Sequence, residues 1–185
     1  MRITGGILSG RKVSVPHGSE DIRPSMDRMR ESFFACLGEI NGCSFLDMFT
    51  GSGIIALEAA SRGAAHIEAV EQDKLKRKIL LENVSISPLR INCRFMPAEL
   101  YIKRAKTAFD IIFLDPPFEY QFKWELAASI TSSKLVKNGT KILIHRPRRD
   151  NLKNEIKNLE KIDYREYGRS VVDFFLFFQQ NTPII

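Results

Sequence analysis

The stretch from Ser44 to Glu71 constrains the fold more than any other part of the chain. Residues 44–49, SFLDMF, form an apolar run that reads as a buried strand. Thr50-Gly51-Ser52-Gly53 follows, and glycine tolerates the positive φ that a tight strand exit demands. A helix is then expected from Ile54 to about Arg62, small and apolar on one side, with Gly63 as its C-cap. Residues 66–71, HIEAVE, read as the next strand. Strand, helix and strand in this order argue for a parallel α/β sheet.

The alternation continues. A helix is expected from Asp73 to about Ile86, closed by Pro88, then a strand at 90–95 and a short helix at 98–105. Phe109–Leu114 reads as a strand, Glu119 to about Ser133 as a helix, and Lys141–His145 as a strand after the Asn138-Gly139 turn. The charged segment 146–157 contains a further helix, and strands near 160–168 and 171–179 form an antiparallel edge. Upstream, residues 1–16 read as a hairpin, with Ser9-Gly10 at its turn and Lys12-Val13-Ser14-Val15 alternating. A loop at 17–24 leads to Ser25 as N-cap of a helix carrying Met26, Met29, Phe33, Phe34 and Leu37 at helical spacing. One three-layer domain spans residues 1–185, with 1–20 as a hairpin extension.

Composition narrows the setting. No apolar run approaches a membrane span, and MRITGGILSG lacks the pattern of a signal peptide. Cys36, Cys43 and Cys93 have no metal-ligand spacing and read as buried free thiols, so a cytoplasmic protein without a metal site is expected. The formal charge of +6 biases the chain toward polyanions.

Two constellations carry chemistry. In the first, Gly51, Ser52 and Gly53 lie between strand and helix, where free N–H groups and bare backbone admit a ligand. With Ala56 the run also fits the dinucleotide fingerprint G-x-G-x-x-A, and Glu71 ends the next strand, where an acid accepts ribose hydroxyls. Asp47 decides between ligands: an acid four residues before Gly51 repels a pyrophosphate and suits a cation. S-adenosylmethionine carries an amino group and a sulfonium and no phosphate. In the second, Asp115-Pro116-Pro117-Phe118 stops a buried strand abruptly, because proline donates no N–H to a sheet ladder. The plain alternative is a strand exit with Phe118 in the core. Beside a methyl donor, however, the Asp115 carboxylate and the Pro116 carbonyl can each accept one N–H of a conjugated amine. That favours a tetrahedral nitrogen whose lone pair faces the methyl, while Phe118 stacks on the base. The target base must leave its stack to be reached.

The sequence resembles a known family at this point. MRI-x-GG, GRK, Arg23-Pro24-x-x-Asp27-Arg28-x-Arg30-Glu31, Asp47-x-Phe49-x-Gly51-Ser52-Gly53, LDPPF and Tyr167-Gly168 are similar to the RsmD-type small-subunit ribosomal RNA guanine-N2 methyltransferases. The resemblance implies a class I methyltransferase fold: a mostly parallel seven-stranded sheet with an antiparallel C-terminal edge, plus the N-terminal hairpin. It implies methyl transfer from S-adenosylmethionine to the N2 amine of one guanine, in ribosomal RNA or a partly assembled small subunit, by a monomer. Carried onto this chain, Asp47, Phe49, Gly51, Ser52, Gly53, Glu71, Gln72 and Ala98 meet the cofactor. Asp115, Pro116 and Phe118 hold the guanine, and Arg2, Arg11, Lys12, Arg28 and Arg30 meet RNA phosphates. Two positions depart from the family. Pro97 stands where it usually has an acid for the adenine amine, and His145 stands where it tends to have an acid at the fifth strand's end. His145 reads as a surface histidine, and Arg146 beside it as added charge for RNA.

Other readings stay open on the residues alone. The same loop could hold an adenine N6 amine or a protein glutamine amide, although little chain is spare for a target-recognition region. A nicotinamide oxidoreductase fits G-x-G-x-x-A but not Asp47 or the Asp115 loop. A non-catalytic RNA-binding relative would fit Pro97.

Overall fold

The computed structural model describes residues 1–15, 24–150 and 156–179. Residues 16–20 of the expected hairpin, His17 and Arg23 of the loop, and the part of the expected 146–157 helix at 151–155 lie outside them. The strands are β1 Ser44–Met48, β2 His66–Glu71, β3 Ile91–Phe95, β4 Ile111–Leu114, β5 Lys141–Pro147, β6 Leu159–Tyr167 and β7 Ser170–Phe177. The helices are α1 Pro24–Leu37, α2 Ile54–Ser61, α3 Arg77–Val84, α4 Ala98–Arg104 and α5 Lys123–Thr131. The seven strands form one sheet in the order β3-β2-β1-β4-β5-β7-β6. The first five are parallel, and β7 runs antiparallel between β5 and β6. This is the sheet expected of a class I methyltransferase.

Period-two alternation sends neighbouring side chains to opposite faces. Phe45, Phe113 and Leu143 join one core with α1 and α2. Leu46, Ile112, Leu114 and Ile144 join the other with α4 and α5. Phe33 of α1 stacks on Phe113, centroids 5.0 Å apart and planes 13° from parallel. Both rings are fully buried. Truncating either to alanine is expected to cost about 3–5 kcal/mol. Because both faces are covered, the central strands are continuous apolar runs.

The N-terminal hairpin is less of an appendage than its sequence suggests. It holds one bridge, Arg2 to Lys12, flanked by Ile3 N donating to Arg11 O at 3.0 Å and Gly10 N to Ile3 O at 2.8 Å. Ile3, Leu8 and Val13 are buried in the α1–α2 core. Ile7 N donates to Ser61 O at 2.8 Å. Gly6 has φ 74°, and a Cβ there would stand 1.8 Å from the Ser61 carbonyl oxygen, so the joint admits only glycine.

Some boundaries differ from expectation. Helix α1 starts at Pro24, before Ser25, because proline's fixed φ suits a first helical turn. The Asp73–Ile86 segment splits: Asp73 accepts from Leu75 N at 2.9 Å and caps a 3-10 turn at Lys74–Lys76, and α3 begins only at Arg77. Helix α5 starts at Lys123 rather than Glu119, since Tyr120 N turns back to Pro117 O at 2.8 Å. Strand β5 runs on to Pro147 because β7 pairs along its whole length. Cys36 is exposed, contrary to the buried thiol expected; Cys43 and Cys93 are half-buried.

Candidate functional site

The carboxyl ends of β1 and β4 lie side by side, with Met48 paired to Leu114. Open α/β sheets bind ligands at this edge. Asp47 and Asp115 both line a cleft of about 350 Å³ there, with Phe49, Gly51, Ile54 and Lys76.

Asp47 is fully buried. Its Oδ2 accepts from Thr50 Oγ1 and from Ala56 N at 3.1 Å. Its Oδ1 is buried with no partner among the described residues. Such an orphaned acceptor is costly unless a donor from outside completes it. Burial raises the Asp47 carboxyl to about 7, with Asp115 and Glu71 adding repulsion against the bonds from Thr50 and Ala56. A cationic N–H donor would satisfy Oδ1 and restore the charge.

The turn above Asp47 is shaped by several residues. Gly51 has φ 56°, and its side-chain position is open toward the cleft. Gly53 serves a different purpose: at φ 82°, a Cβ would meet Leu80 Cδ1 at 2.7 Å, so its smoothness lets α3 pack. Ser52 is buried, and its carbonyl accepts from Asn83 Nδ2 at 2.8 Å. Phe49 adopts φ 64°, a strained left-handed conformation for a bulky residue, and its ring meets Tyr120 at 5.5 Å. Glu71 accepts from Gly51 N and Asp73 N, each at 2.8 Å, and fixes the turn. A carboxylate has about four lone-pair sites, so these bonds leave room for ribose hydroxyls. Gln72 is exposed just beyond, while Ala98 is buried at the start of α4. Pro97 caps that helix with no side-chain bond, and the acid at Glu99 is engaged by Tyr120 OH at 2.5 Å.

The β4 exit is open. Asp115 is about a third exposed, and Phe118 is 42 % exposed, which excludes the reading that places this ring in the core. Pro116 between them is buried, and no hydrogen bond among the described residues uses its carbonyl. The loop is nonetheless tied down. Lys123, 4 % exposed, donates to Phe118 O at 3.1 Å and Tyr120 O at 2.5 Å and pairs with Asp150 at 3.0 Å. The sequence offered no sign of this role, since a lysine on an apolar helix face looks like solvated charge.

His145 is a second residue whose place corrects the sequence reading. It is buried, not on the surface, with Nδ1 2.7 Å from Asp115 Oδ1 and its ring 5.7 Å from that of Phe118. The β4–β5 register places it there: Leu114 pairs with Ile144, so the next residues, Asp115 and His145, face each other. Arg146 is also buried, bound to Asp173 at 2.5 Å, and so is not free charge for RNA.

Of the five basic residues expected to meet RNA, Arg2, Arg11, Lys12 and Arg28 are exposed. Arg30 is not: at 1 % exposure it donates to Arg2 O at 2.9 Å and Asp27 Oδ1 at 2.7 Å, and lies 3.5 Å from buried Glu58. Glu58 also accepts from Thr4 N at 2.6 Å and Arg62 Nε at 3.3 Å. Arg30 is therefore a tie between hairpin and helices.

Among the described residues no group of His, Cys, Asp or Glu is placed to hold a metal, and no helix is long and apolar enough to cross a membrane.

The family described as "Conserved hypothetical protein 95" matches residues 1–176. The ribosomal RNA small subunit methyltransferase D of Escherichia coli is 37 % identical over 121 residues, 64 % of this chain and 60 % of the relative. The chain thus spans about 60 % of the length of the E. coli relative it matches. The protein of the same name from Haemophilus influenzae is 30 % identical over 154 residues, 78 % of this chain and 77 % of the relative. A solved structure of a presumed methyltransferase from E. coli superposes with a TM-score of 0.87 at 27 % identity, covering 97 % of this chain and 99 % of that one.

Proposed function

The chain belongs to the Conserved hypothetical protein 95 family of RsmD-type ribosomal RNA small-subunit methyltransferases, and from that premise we propose that it transfers a methyl group from S-adenosylmethionine to the exocyclic N2 amine of a guanine in small-subunit ribosomal RNA. The observation that carries the reading is the juxtaposition, in one cleft, of an unpartnered buried carboxylate oxygen on Asp47 with the partly exposed carboxylate of Asp115.

Asp47, Gly51 and Glu71 fit the cofactor: Oδ1 of Asp47 would take an N–H of its ammonium, Gly51 would give close approach, and Glu71 would take the ribose hydroxyls. Phe49, Gln72 and Ala98 would border the adenosine, where Pro97 supplies no acid. When bound, S-adenosylmethionine supplies an electrophilic methyl group. The protein's own work falls on the amine. Asp115 and the Pro116 carbonyl each accept one N–H, drawing the nitrogen lone pair out of conjugation and toward the methyl. Phe118 presents its exposed face to the flipped base. With Asp115 ionised, His145 donates its Nδ1–H to Oδ1, which leaves Oδ2 for the amine. His145 is thus a positioning residue. The proton lost from the methylated nitrogen passes to Asp115, which is exposed enough to hand it to water. Lys123 holds the loop still while this happens.

The test is direct. Unmodified small-subunit ribosomal RNA is incubated with labelled S-adenosylmethionine and the protein, and the product nucleosides are mapped by mass spectrometry. N2-methylguanosine at one site is expected. N6-methyladenosine would move the target to the adenine amine, and no labelled nucleoside would remove the enzyme reading.

A further inference from the structure

Beyond His145, β5 passes through Arg146 and Pro147 into a turn that meets the β6–β7 hairpin. Arg148 N donates to Arg169 O at 2.8 Å and ties the two turns together. Between them is a groove of about 650 Å³ lined by Phe118, Pro147, Arg148, Arg149, Gly168 and Arg169. It opens beside the ring that receives the target base.

Three properties set this groove apart from the basic surface of the N-terminal hairpin. Every charged lining residue is an arginine, whereas Arg2 and Arg28 share their cavity with Asp27 and Glu31. Arg148 has an acidic partner, Glu166 at 3.1 Å, in a mostly exposed pair; Arg149 and Arg169 have none among the described residues. The rest of the lining is apolar, and Gly168, at φ 61°, has open space where a side chain would project. The floor is also fixed. Buried Arg146 holds Asp173 and donates to Pro147 O at 3.3 Å and Asp150 O at 2.8 Å, so the turn keeps its shape without a ligand.

An aromatic face followed by guanidinium groups suits a nucleotide strand: bases stack on rings, and phosphates take charge-assisted bonds from arginine. An acidic peptide would use the charges and leave the ring and apolar wall unused. A base held on Phe118 also brings its own flanking phosphates to within one nucleotide of that ring.

We propose that this groove binds the single-stranded RNA that flanks the target nucleotide, with Arg149 and Arg169 on its phosphates; the proposal rests on the methyl-transfer reading above. The RNA is therefore gripped at the C-terminal edge of the sheet, next to the chemistry, as well as at the hairpin.

The test compares wild type with the double variant Arg149→Gln, Arg169→Gln. Unmodified small-subunit ribosomal RNA is titrated between about 50 and 200 mM salt, where counterion release dominates affinity. Each phosphate contact on a single strand adds about 0.7 to the slope of log affinity against log salt, so a loss of about 1.4 is expected in the double variant. Its KM for RNA should rise about tenfold, while kcat and S-adenosylmethionine affinity hold. A double variant with the wild-type slope and KM overturns the groove and leaves methyl transfer standing. A wild type that binds RNA with the expected slope difference yet transfers no methyl supports the groove and removes the enzyme reading. Poly-glutamate as competitor separates the other occupant: if the substitutions weaken poly-glutamate and RNA equally, the groove is a general acid-binding surface and the RNA assignment falls.

Discussion

The ends of β1 and β4 are neighbours in one sheet, and they are finished in opposite ways. At β1 nearly every polar atom is buried and bonded: Thr50 and Ala56 hold Asp47, and Gly51 and Asp73 hold Glu71, so that one carboxylate oxygen alone lacks a partner. At β4 the Asp115 carboxylate and the Phe118 ring stand open, braced from behind by Lys123 and His145. A small ligand can be enclosed completely, so its site can be built dry and nearly complete. A base that belongs to a large RNA arrives with its polymer attached, so its site must stay open on the side the strand enters. The difference teaches that preorganisation takes two forms here: satisfied partners at the buried β1 end, and a hydrogen-bonded backing behind the exposed β4 loop.

Asp115→Ala should separate the two ends most sharply. Loss of one transition-state acceptor is expected to lower kcat by about 10²–10³-fold, with S-adenosylmethionine affinity within about twofold of wild type. Equal loss of cofactor affinity in a calorimetric titration would show that the two ends are one site. Next in size is His145. Removing a hydrogen bond to a charged group costs about 1.5–3 kcal/mol, so His145→Leu should lower kcat about 10- to 100-fold. His145→Asn keeps an N–H near the place of Nδ1 and should recover most of that activity; equal loss in both variants would reduce His145 to packing.

Two smaller effects follow. Phe118→Ala forfeits a stack that contributes about 1–3 kcal/mol per base, so KM for RNA should rise about tenfold or more with the cofactor unaffected. An unchanged KM would mean that the base does not rest on this ring. Asp47 gives the cofactor end its own signature. Its folded carboxyl titrates at about 7, above the ordinary carboxylate range, so it is neutral below that pH and ionised above it. A cation prefers the ionised form, so S-adenosylmethionine affinity should be flat above about pH 7 and fall by up to about tenfold per unit below it. Asp47→Asn should abolish that slope. A wild-type profile flat down to pH 5 would remove Asp47 as the cation's partner.

The sequence disclosed what is local in the chain. Asp47 and the Gly51–Gly53 turn sit within one strand–helix unit, and Asp115-Pro116-Pro117-Phe118 is contiguous, so their chemistry is written in order. What it concealed depends on register and on partners far along the chain. His145 meets Asp115 across 30 residues because β5 pairs with β4 in one particular alignment. Arg146 is neutralised by Asp173, on a strand that inserts between β5 and β6. Arg30 looked like surface charge because nothing local marks Glu58, whose carboxylate is wholly buried among Thr4, Arg30 and Arg62. In each case a side chain was visible and its distant partner was not, although Arg30 also has a near one in Asp27, three residues before it. Gly53 shows the same limit in another form: the fingerprint assigns it to a ligand, and the packing of Leu80 claims it.

The placement of β7 has a consequence for how the protein comes into being. Synthesis proceeds from the N-terminus, so β5 is made before its antiparallel neighbour and waits as a bare edge. During that interval β6 has no strand to join, because it pairs with β7 alone. Arg146 meanwhile has no counter-ion across the sheet, since Asp173 arrives with β7. Asp47, the Gly51–Gly53 turn and Glu71 all lie within residues 44–71, while the strand carrying His145 gains its second neighbour only when residues 170–177 emerge. A ribosome making this protein therefore emits the strands that carry Asp47 and Glu71 well before the strand that flanks His145.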